Sequence, residues 1–240
     1  ASAAIATRFP TVRELYQASL ISFGPNVGDL NYGAFNPNLA PEAALDLQLP
    51  ASKYFDNAVV TVSIFRQDIE DTLFSQTVPE LGTSLTTNIG KVRTDGVDVV
   101  VATEDWLIEG LAIDANVSLL DAEVTENPID RSLEGNRFPR VPDVRANASI
   151  RYAPNENWLF AAGWRHQDTP DRNIENTSTS QCGTFFCVSE FSFVDLKATR
   201  RFGDIEVSLG IDNVTDERAF VFHPYPGRTA LLEVSWKGGF

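Results

Sequence analysis

The chain has 240 residues, of which 43% are hydrophobic and 22% are charged, and it contains no methionine. Its 33 acidic residues outnumber its 19 lysines and arginines, which gives a formal net charge of −14. An acidic surface repels phosphate, so this charge disfavours nucleic-acid binding. No run of 18 apolar residues occurs, which excludes a transmembrane helix but leaves open a membrane barrel, whose strands give a weaker signal.

Alternating apolar and polar residues predict ten β-strands in one all-β domain over residues 1–240, because successive side chains of a strand point to opposite faces. The first is a partial strand at residues 1–8, and no signal peptide precedes it, so we expect a processed chain or a piece of a longer one. The other nine strands are predicted at residues 42–49, 60–75, 85–103, 111–119, 143–152, 158–165, 194–199, 205–212 and 227–240. The last of these is long enough to cross a bilayer, which needs about 9–11 tilted residues.

The predicted connections between the strands alternate in length. Short turns are expected near residues 51–57, 104–109, 154–156 and 201–204. Long segments are expected at residues 9–40, 76–84, 123–140, 169–190 and 214–226. Short turns at one end and long loops at the other are typical of an antiparallel, up-and-down transmembrane β-barrel.

The two faces of the predicted strands differ in chemistry. One face carries a charge in the middle of nearly every strand, as the wet interior of a barrel would allow: Asp98, Asp114, Arg145, Arg151, Arg165, Asp195, Lys197, Glu206, Asp212 and Glu233. Aromatic residues lie beside the short turns and at the end of the chain: Tyr54, Phe55, Trp106, Tyr152, Trp158, Phe202, Trp236 and Phe240. A membrane barrel places such residues in an interfacial girdle.

Two other architectures remain open from the pattern alone. A soluble β-sandwich, such as a secreted binding module, also alternates, but it has no reason to sort its connections by end. A passive, porin-like barrel would have to close within this chain, whereas the strand at residues 1–8 looks truncated.

Five segments carry patterns that belong together. They are RFPTVRELY at 8–16, NPNLAPE at 36–42, NIGKVRTDGVD at 88–98, the segment Gly135–Pro142, and DNVTD at 212–216 with the later PGRT at 226–229 and the terminal Phe240. In this order they resemble the strand entries and exits and the closing hairpin in the C-terminal half of the barrel of TonB-dependent outer-membrane receptors. Each pattern is short, but the resemblance runs almost from one end of the chain to the other.

The resemblance implies a barrel of 22 strands around an N-terminal plug, of which this chain would supply about ten strands. It implies a multi-pass barrel in the outer membrane of a Gram-negative cell, in contact with lipid and lipopolysaccharide. Receptors of this family bind scarce ligands, typically ferric siderophores, cobalamin or glycans. They import them with energy passed from the TonB–ExbB–ExbD complex through a TonB box ahead of the plug. The plug, the TonB box and about half of the strands are absent from this sequence, so we do not expect the chain alone to transport anything.

Candidate ligand contacts are aromatic and polar residues of the long loops and the upper lumen, since stacking rings with a few convergent polar groups suit a ligand mouth. They are Tyr16, Tyr32, Phe35, Arg165, His166, Phe220, Phe222, His223 and Tyr225. The alternative, that these residues form the outer aromatic girdle or pack the loops, is the simpler one.

The sequence contains no nucleophile motif and no phosphate-binding loop, so we expect neither an enzyme nor a bound cofactor. Its two histidines, His166 and His223, are far apart in the sequence, without metal-ligand spacing. We therefore expect no metal site.

The two cysteines, Cys182 and Cys187, lie in one Ser/Thr-rich loop. A disulfide between them would pin the loop tip and would imply an oxidising compartment, such as the periplasm or the cell surface. Two free thiols are the alternative, although the loop setting favours the bridge.

Overall fold

The computed structural model describes residues 1–20, 30–34, 36–78, 83–177, 188–221 and 223–238. For residues 17–20, 30–34, 77, 83 and 84 it describes the backbone only. Several residues singled out from the sequence fall outside these ranges: Phe35, Cys182, Cys187, Phe222 and Phe240. The side chain of Tyr32 is likewise outside the description.

The described residues form a sheet of ten long strands, accompanied by four short strands. The strands are β1 (Ser2–Arg8), β2 (Gln17–Leu20), β3 (Leu30–Ala34), β4 (Glu42–Phe55), β5 (Ala58–Val78), β6 (Thr83–Thr103), β7 (Leu111–Glu126), β8 (Val144–Asn155), β9 (Trp158–Gln167), β10 (Phe191–Phe202), β11 (Ile205–Asp212), β12 (Phe220–Val221), β13 (His223–Pro224) and β14 (Thr229–Trp236). The large sheet has the order β1-β4-β5-β6-β7-β8-β9-β10-β11-β14, and every neighbouring pair is antiparallel.

This topology confirms the predicted ten up-and-down strands. All ten lie in one sheet, which contradicts the two-sheet sandwich that the pattern had left open. Strands β1 and β14 are the two edges of the sheet and do not pair with each other, so the sheet is an open part of a barrel wall.

The long connections contain small elements of their own. The segment predicted as irregular at residues 9–40 holds helix α1 (Val12–Tyr16) and the two-stranded sheet β2–β3. A 3₁₀ helix, Arg131–Leu133, lies between β7 and β8, and the hairpin β12–β13 lies between β11 and β14.

Several strands are longer than the alternation predicts. The short turn predicted near residues 51–57 is shorter than expected, since β4 continues to Phe55 and the connection to β5 is only residues 56–57. Pro50 lies inside β4, where it is the cross-strand partner of Ser63 in β5. Likewise, β5 and β6 extend through most of the predicted loop at residues 76–84.

The register of the sheet collects the apolar side chains on one face and the polar ones on the other. Val62, Val99 and Val117 are direct cross-strand neighbours on the face we call the apolar face. Ser63 lies on the opposite, polar face and is 5% exposed, whereas its neighbour Ile64 on the apolar face is 52% exposed. The apolar face therefore carries large hydrophobic side chains that are exposed.

Most of the predicted girdle lies where it was expected. The apolar face next to the short turns carries Phe55, Tyr152, Trp158, Phe202 and Trp236. Tyr54 lies on the polar face instead, because it is adjacent to Phe55 in the same strand.

A small hydrophobic core lies at the long-loop end of the sheet. Its buried members are Ile89, Val92, Val124, Leu133 and Ile174, with Phe74 and Phe138 packed against them. Leu133 and Ile174 come from the loops after β7 and β9, so these two loops fold onto the ends of the strands. None of the helices among the described residues has the length and hydropathy needed to span a membrane.

Candidate functional site

The polar face brings together the charged residues that the alternation predicted for a barrel interior. The register places all ten of these charges on this face, so the prediction of a charged face is confirmed. Cross-strand ion pairs hold several of them. Arg151 contacts Asp114 at 3.0 Å, and Arg165 contacts Asp195 at 3.0 Å.

One pair spans three strands. Lys197 of β10 contacts Glu233 of β14 at 3.7 Å, reaching across Gly210 of β11, which presents no side chain. The Lys197 and Glu233 side chains are 51% and 62% exposed, so solvent screens this pair and it adds little stability.

Small residues between the ion pairs leave room on the polar face. Two adjoining grooves, of about 380 and 390 Å³, share Ser149, Gly163 and Asp195 in their linings. A side-chain carbon added at Gly163 would meet no atom closer than 3.9 Å. The face is thus a charged wall with shallow recesses, which suits contact with a hydrated ligand or with a polar protein surface.

An aromatic cluster closes the loop end of this face. The rings of Phe191 and Phe193 stack with centroids 4.7 Å apart, and the ring of Tyr225 meets each of them edge-on at 5.2 Å. The Arg165 guanidinium lies over the Phe193 ring at 5.5 Å. The two phenylalanines are buried, at 8% and 2% exposure, so they anchor the loop after β11 onto β10.

Asn213 organises that loop through its backbone and its side chain. Its N–H donates to Asp195 Oδ1 at 2.8 Å, which links the loop to the Arg165–Asp195 pair. Its amide group donates to the Glu217 carbonyl, and its Oδ1 accepts from the Glu217 N–H. The DNVTD motif is therefore a construction device rather than a ligand site.

The loops after β7 and β9 are interlocked. Asn136 donates to the Ile174 carbonyl at 2.9 Å, while Asn176 accepts from the Arg137 N–H at 2.7 Å and donates to the Arg137 carbonyl at 3.0 Å. Arg137 also forms ion pairs with Asp143 and Asp171. The two loops form one unit above the sheet.

Buried polar side chains tie this unit to the ends of β5 and β6. Asn127 is fully buried and donates to Gln76 Oε1 at 2.7 Å, while Gln76 donates to Thr87 Oγ1 at 2.9 Å. Asn127 Oδ1 also accepts from the N–H groups of Ile129 and Asp130. Breaking any of these hydrogen bonds would leave a buried polar group without a partner, which is costly. The network therefore favours one arrangement of the loop.

Helix α1, which follows the edge strand β1, is also held by side-chain hydrogen bonds. Glu14 accepts hydrogen bonds from the Thr11 N–H, the Thr11 hydroxyl and Arg8, and Arg8 also pairs with Glu42. Partial burial opposes ionisation of Glu14, but these hydrogen bonds outweigh it and lower the pKa of the carboxyl below its ordinary value of 4.5. These interactions hold the RFPTVRELY segment in one conformation at the end of β1.

The structure brings together only part of the candidate ligand residues. Arg165 and Tyr225 both contact Phe193 on the polar face. His166 lies on the apolar face, with its ring stacked on Trp164 at 5.7 Å. Consecutive residues of a strand point to opposite sides, so Arg165 and His166 cannot reach one ligand together.

The remaining described candidates lie in the loops. Tyr16 ends α1 and is 57% exposed, and Phe220 and His223 belong to the β12–β13 hairpin. Sequence reasoning missed Phe191 and Phe193, although they extend the polar-face alternation of Asp195 and Lys197 along β10. Within the described part of the chain, no group of acidic, histidine and cysteine side chains is arranged to hold a metal ion.

Comparisons with known proteins agree with this geometry. Residues 1–214 match the family model of the TonB dependent receptor-like β-barrel. The chain is similar to the copper transporter OprC, with 20% identity and a TM-score of 0.68 over 98% of this chain and 36% of that one. It is also similar to the siderophore receptor PiuA from Acinetobacter baumannii, with 22% identity and a TM-score of 0.67 over 98% of this chain and 33% of that one. No curated protein sequence matches the chain.

The structural likenesses have low sequence identity, so they show the shared fold. The chain spans about a third of the length of these solved structures. The family model covers residues 1–214 and thus most of the chain. By this match and by its ten-stranded wall, the chain belongs to the TonB-dependent receptor-like β-barrel family.

Proposed function

We propose that this chain is part of an outer-membrane receptor that imports a scarce ligand, such as a ferric siderophore, with energy supplied by the TonB complex. The observation that carries the proposal is the family match over residues 1–214. The sheet supports it, because an exposed apolar face opposite a charged face is what a barrel wall between lipid and an aqueous interior requires.

The proposed location is the outer membrane of a Gram-negative cell, since barrel relatives of this family are outer-membrane proteins. Phospholipid and lipopolysaccharide would then contact the apolar face. Contact with TonB would belong to a part of the receptor ahead of these strands, together with the plug and the remaining strands of the barrel. The solved relatives, about three times as long, are compatible with such additional parts.

The proposed ligand contacts lie at the long-loop end of the polar face. Arg165 is half exposed there, and its guanidinium is held by Asp195 and lies over the ring of Phe193, which Tyr225 also contacts. An arginine held in this way can donate to anionic oxygen atoms, such as those of a ferric siderophore. Of the two relatives named above, one is a siderophore receptor and the other a copper transporter, so both classes of ligand are included in the test.

The experiment uses the cells that produce the protein. An antibody against the last strand is used on fractionated cells, and a band in the outer membrane about three times the mass of this chain is expected. Uptake of ferric siderophores, cobalamin, an oligosaccharide and copper is then compared between cells with the gene, without it, and without TonB. We expect uptake of one of these ligands to require both the gene and TonB. Signal in the soluble fraction alone, or uptake that does not depend on TonB, would overturn the proposal.

A further inference from the structure

One cation at the short-turn end of the apolar face lies between two aromatic rings. The guanidinium of Arg200, in β10, is 4.8 Å from the ring centre of Trp158 and 4.6 Å from that of Phe202. Its direct neighbours in the sheet are Trp158 of β9 and Val207 of β11. Both neighbours are uncharged, so the surface around the arginine is apolar. Cation–π contacts with the two rings stabilise its charge there.

A second hairpin repeats the arrangement. The ammonium group of Lys53, in β4, lies 5.0 Å from the ring centre of Phe55. Each cation precedes by two residues the aromatic residue that ends its strand at a short turn. The register places Lys53 opposite Val60, on the same face as Arg200. The repetition at the same level of two separate strands points to a common environment.

These two cations differ from the other cations of the apolar face. Within the described residues, neither Lys53 nor Arg200 has a carboxylate within 4.0 Å. Towards the long loops, by contrast, Arg66 contacts Asp95 at 2.6 Å and Arg93 contacts Asp68 at 2.9 Å. An unpaired charge beside hydrocarbon is costly unless it reaches the interface or finds an anion.

We propose that Arg200 and Lys53 bind the phosphodiester groups of phospholipids in the leaflet at the short-turn end of the barrel. This inference rests on the membrane location proposed above. Aromatic rings mark the interfacial level of a membrane barrel, where long cationic side chains extend their charge towards the headgroups. A ring below a guanidinium leaves its in-plane N–H groups available, and these match the oxygen atoms of a phosphate. The apolar face around this position carries exposed side chains such as Leu209 and Val234, so in the proposed membrane location lipid is the anionic partner that it meets.

The test uses the full-length receptor in nanodiscs that contain phosphatidylglycerol, or diacylglycerol with the same acyl chains, in an uncharged lipid background. After transfer to detergent, native mass spectrometry counts the lipids that remain bound. A basic residue near an anionic lipid surface contributes about 1 kcal/mol, which corresponds to a roughly fivefold change in affinity. We therefore expect R200Q and K53Q each to lower phosphatidylglycerol retention several-fold, and the double variant to lower it further, with diacylglycerol unaffected.

The neighbouring Arg201 provides a matched control, because it lies on the polar face and contacts Glu206 at 3.1 Å. R201Q should retain phosphatidylglycerol like the unmodified receptor, and thermal unfolding verifies that all variants are folded. R200K, which keeps the charge but not the planar fork, should retain an intermediate amount. Equal retention by the double variant and the unmodified receptor would overturn the inference, as would an equal loss in R201Q.

The readout also separates this inference from the proposed function. A receptor that imports none of the candidate ligands but binds phosphatidylglycerol through Arg200 supports the lipid site and contradicts only the uptake proposal. A receptor that imports its ligand but retains lipid equally in all variants contradicts only the lipid site.

Discussion

The ring of Phe65 in β5 lies directly over Gly96 in the neighbouring strand β6. The two residues are cross-strand partners on the polar face, and a Cβ atom built on Gly96 would lie 2.3 Å from the Phe65 ring. Real Cβ atoms do not approach so closely, so a larger residue at position 96 would force the Phe65 ring to move. Gly96, the second glycine of the NIGKVRTDGVD segment, thus leaves free the space that the Phe65 ring occupies.

This contact predicts that G96A destabilises the barrel by about 1–3 kcal/mol, since an added methyl group in a packed position forces side chains to move. Urea unfolding of the purified receptor measures the change. G163A is the matched control, because a Cβ there would meet its nearest atom at 3.9 Å. The double variant F65A/G96A should show coupling between the two sites. An unchanged unfolding midpoint for G96A would show that the ring moves aside without cost.

We predict that the hydrogen bonds of the buried Asn127 stabilise the loop unit above the sheet. N127A removes its hydrogen bonds with Gln76, Ile129 and Asp130 and leaves buried groups without partners, at a cost of about 1–3 kcal/mol each. We expect faster hydrogen exchange in residues 127–143, measured by mass spectrometry. N147A, at an exposed position on the polar face, should leave the exchange of that loop unchanged. Equal exchange in both variants would mean that the network does not hold the loop.

Glu14 predicts a pH dependence at helix α1. Its folded-state pKa is lowered, so its contribution to stability is fully present above the ordinary value of 4.5 and is lost as the pH falls through the lowered value. Hydrogen exchange in residues 9–16 should therefore accelerate as the pH falls from about 6 to about 3, beyond the intrinsic pH effect on exchange. E14Q cannot ionise, so this extra acceleration should be absent in it. A pH response that persists in E14Q would assign the effect to another group.

We predict that Arg165 contributes to the affinity for the ligand. If the loop end of the polar face binds an anionic ligand, R165Q should weaken binding by roughly tenfold or more, because a charged hydrogen bond is lost. Isothermal titration of the full receptor with the ligand found in the uptake experiment measures the change. R151Q is the control, since Arg151 forms an equivalent 3.0 Å ion pair nearer the short turn. Equal losses in R151Q and R165Q would show that the ion pairs of the wall, rather than this end of it, matter.

The sequence was sufficient for the architecture of the wall. Strand alternation has a period of two and depends only on local order, so the number of strands, their antiparallel sequence and the division into two faces follow from the residues themselves. The charged face from Asp98 to Glu233 and the aromatic residues Phe55 and Trp158 beside the short turns are examples. The ends of strands were less predictable, because a proline usually interrupts a strand pattern, yet β4 continues past Pro50 to Phe55.

The tertiary structure alone decided how the loops are held and which side chains meet. Phe193 and Tyr225 are far apart in sequence, and so are Gln76 and Asn127, yet each pair is in contact. Such contacts depend on the register between strands and on how loops fold back, and neither leaves a periodic signal in the chain. Likewise, Arg200 and Arg201 are adjacent in the sequence. Only the sheet decides that Arg201 contacts a carboxylate, whereas Arg200 contacts two aromatic rings. The order of residues along each strand thus determined which side chains share a face of the sheet. Packing between segments distant in sequence determined which side chains are in contact at its two ends.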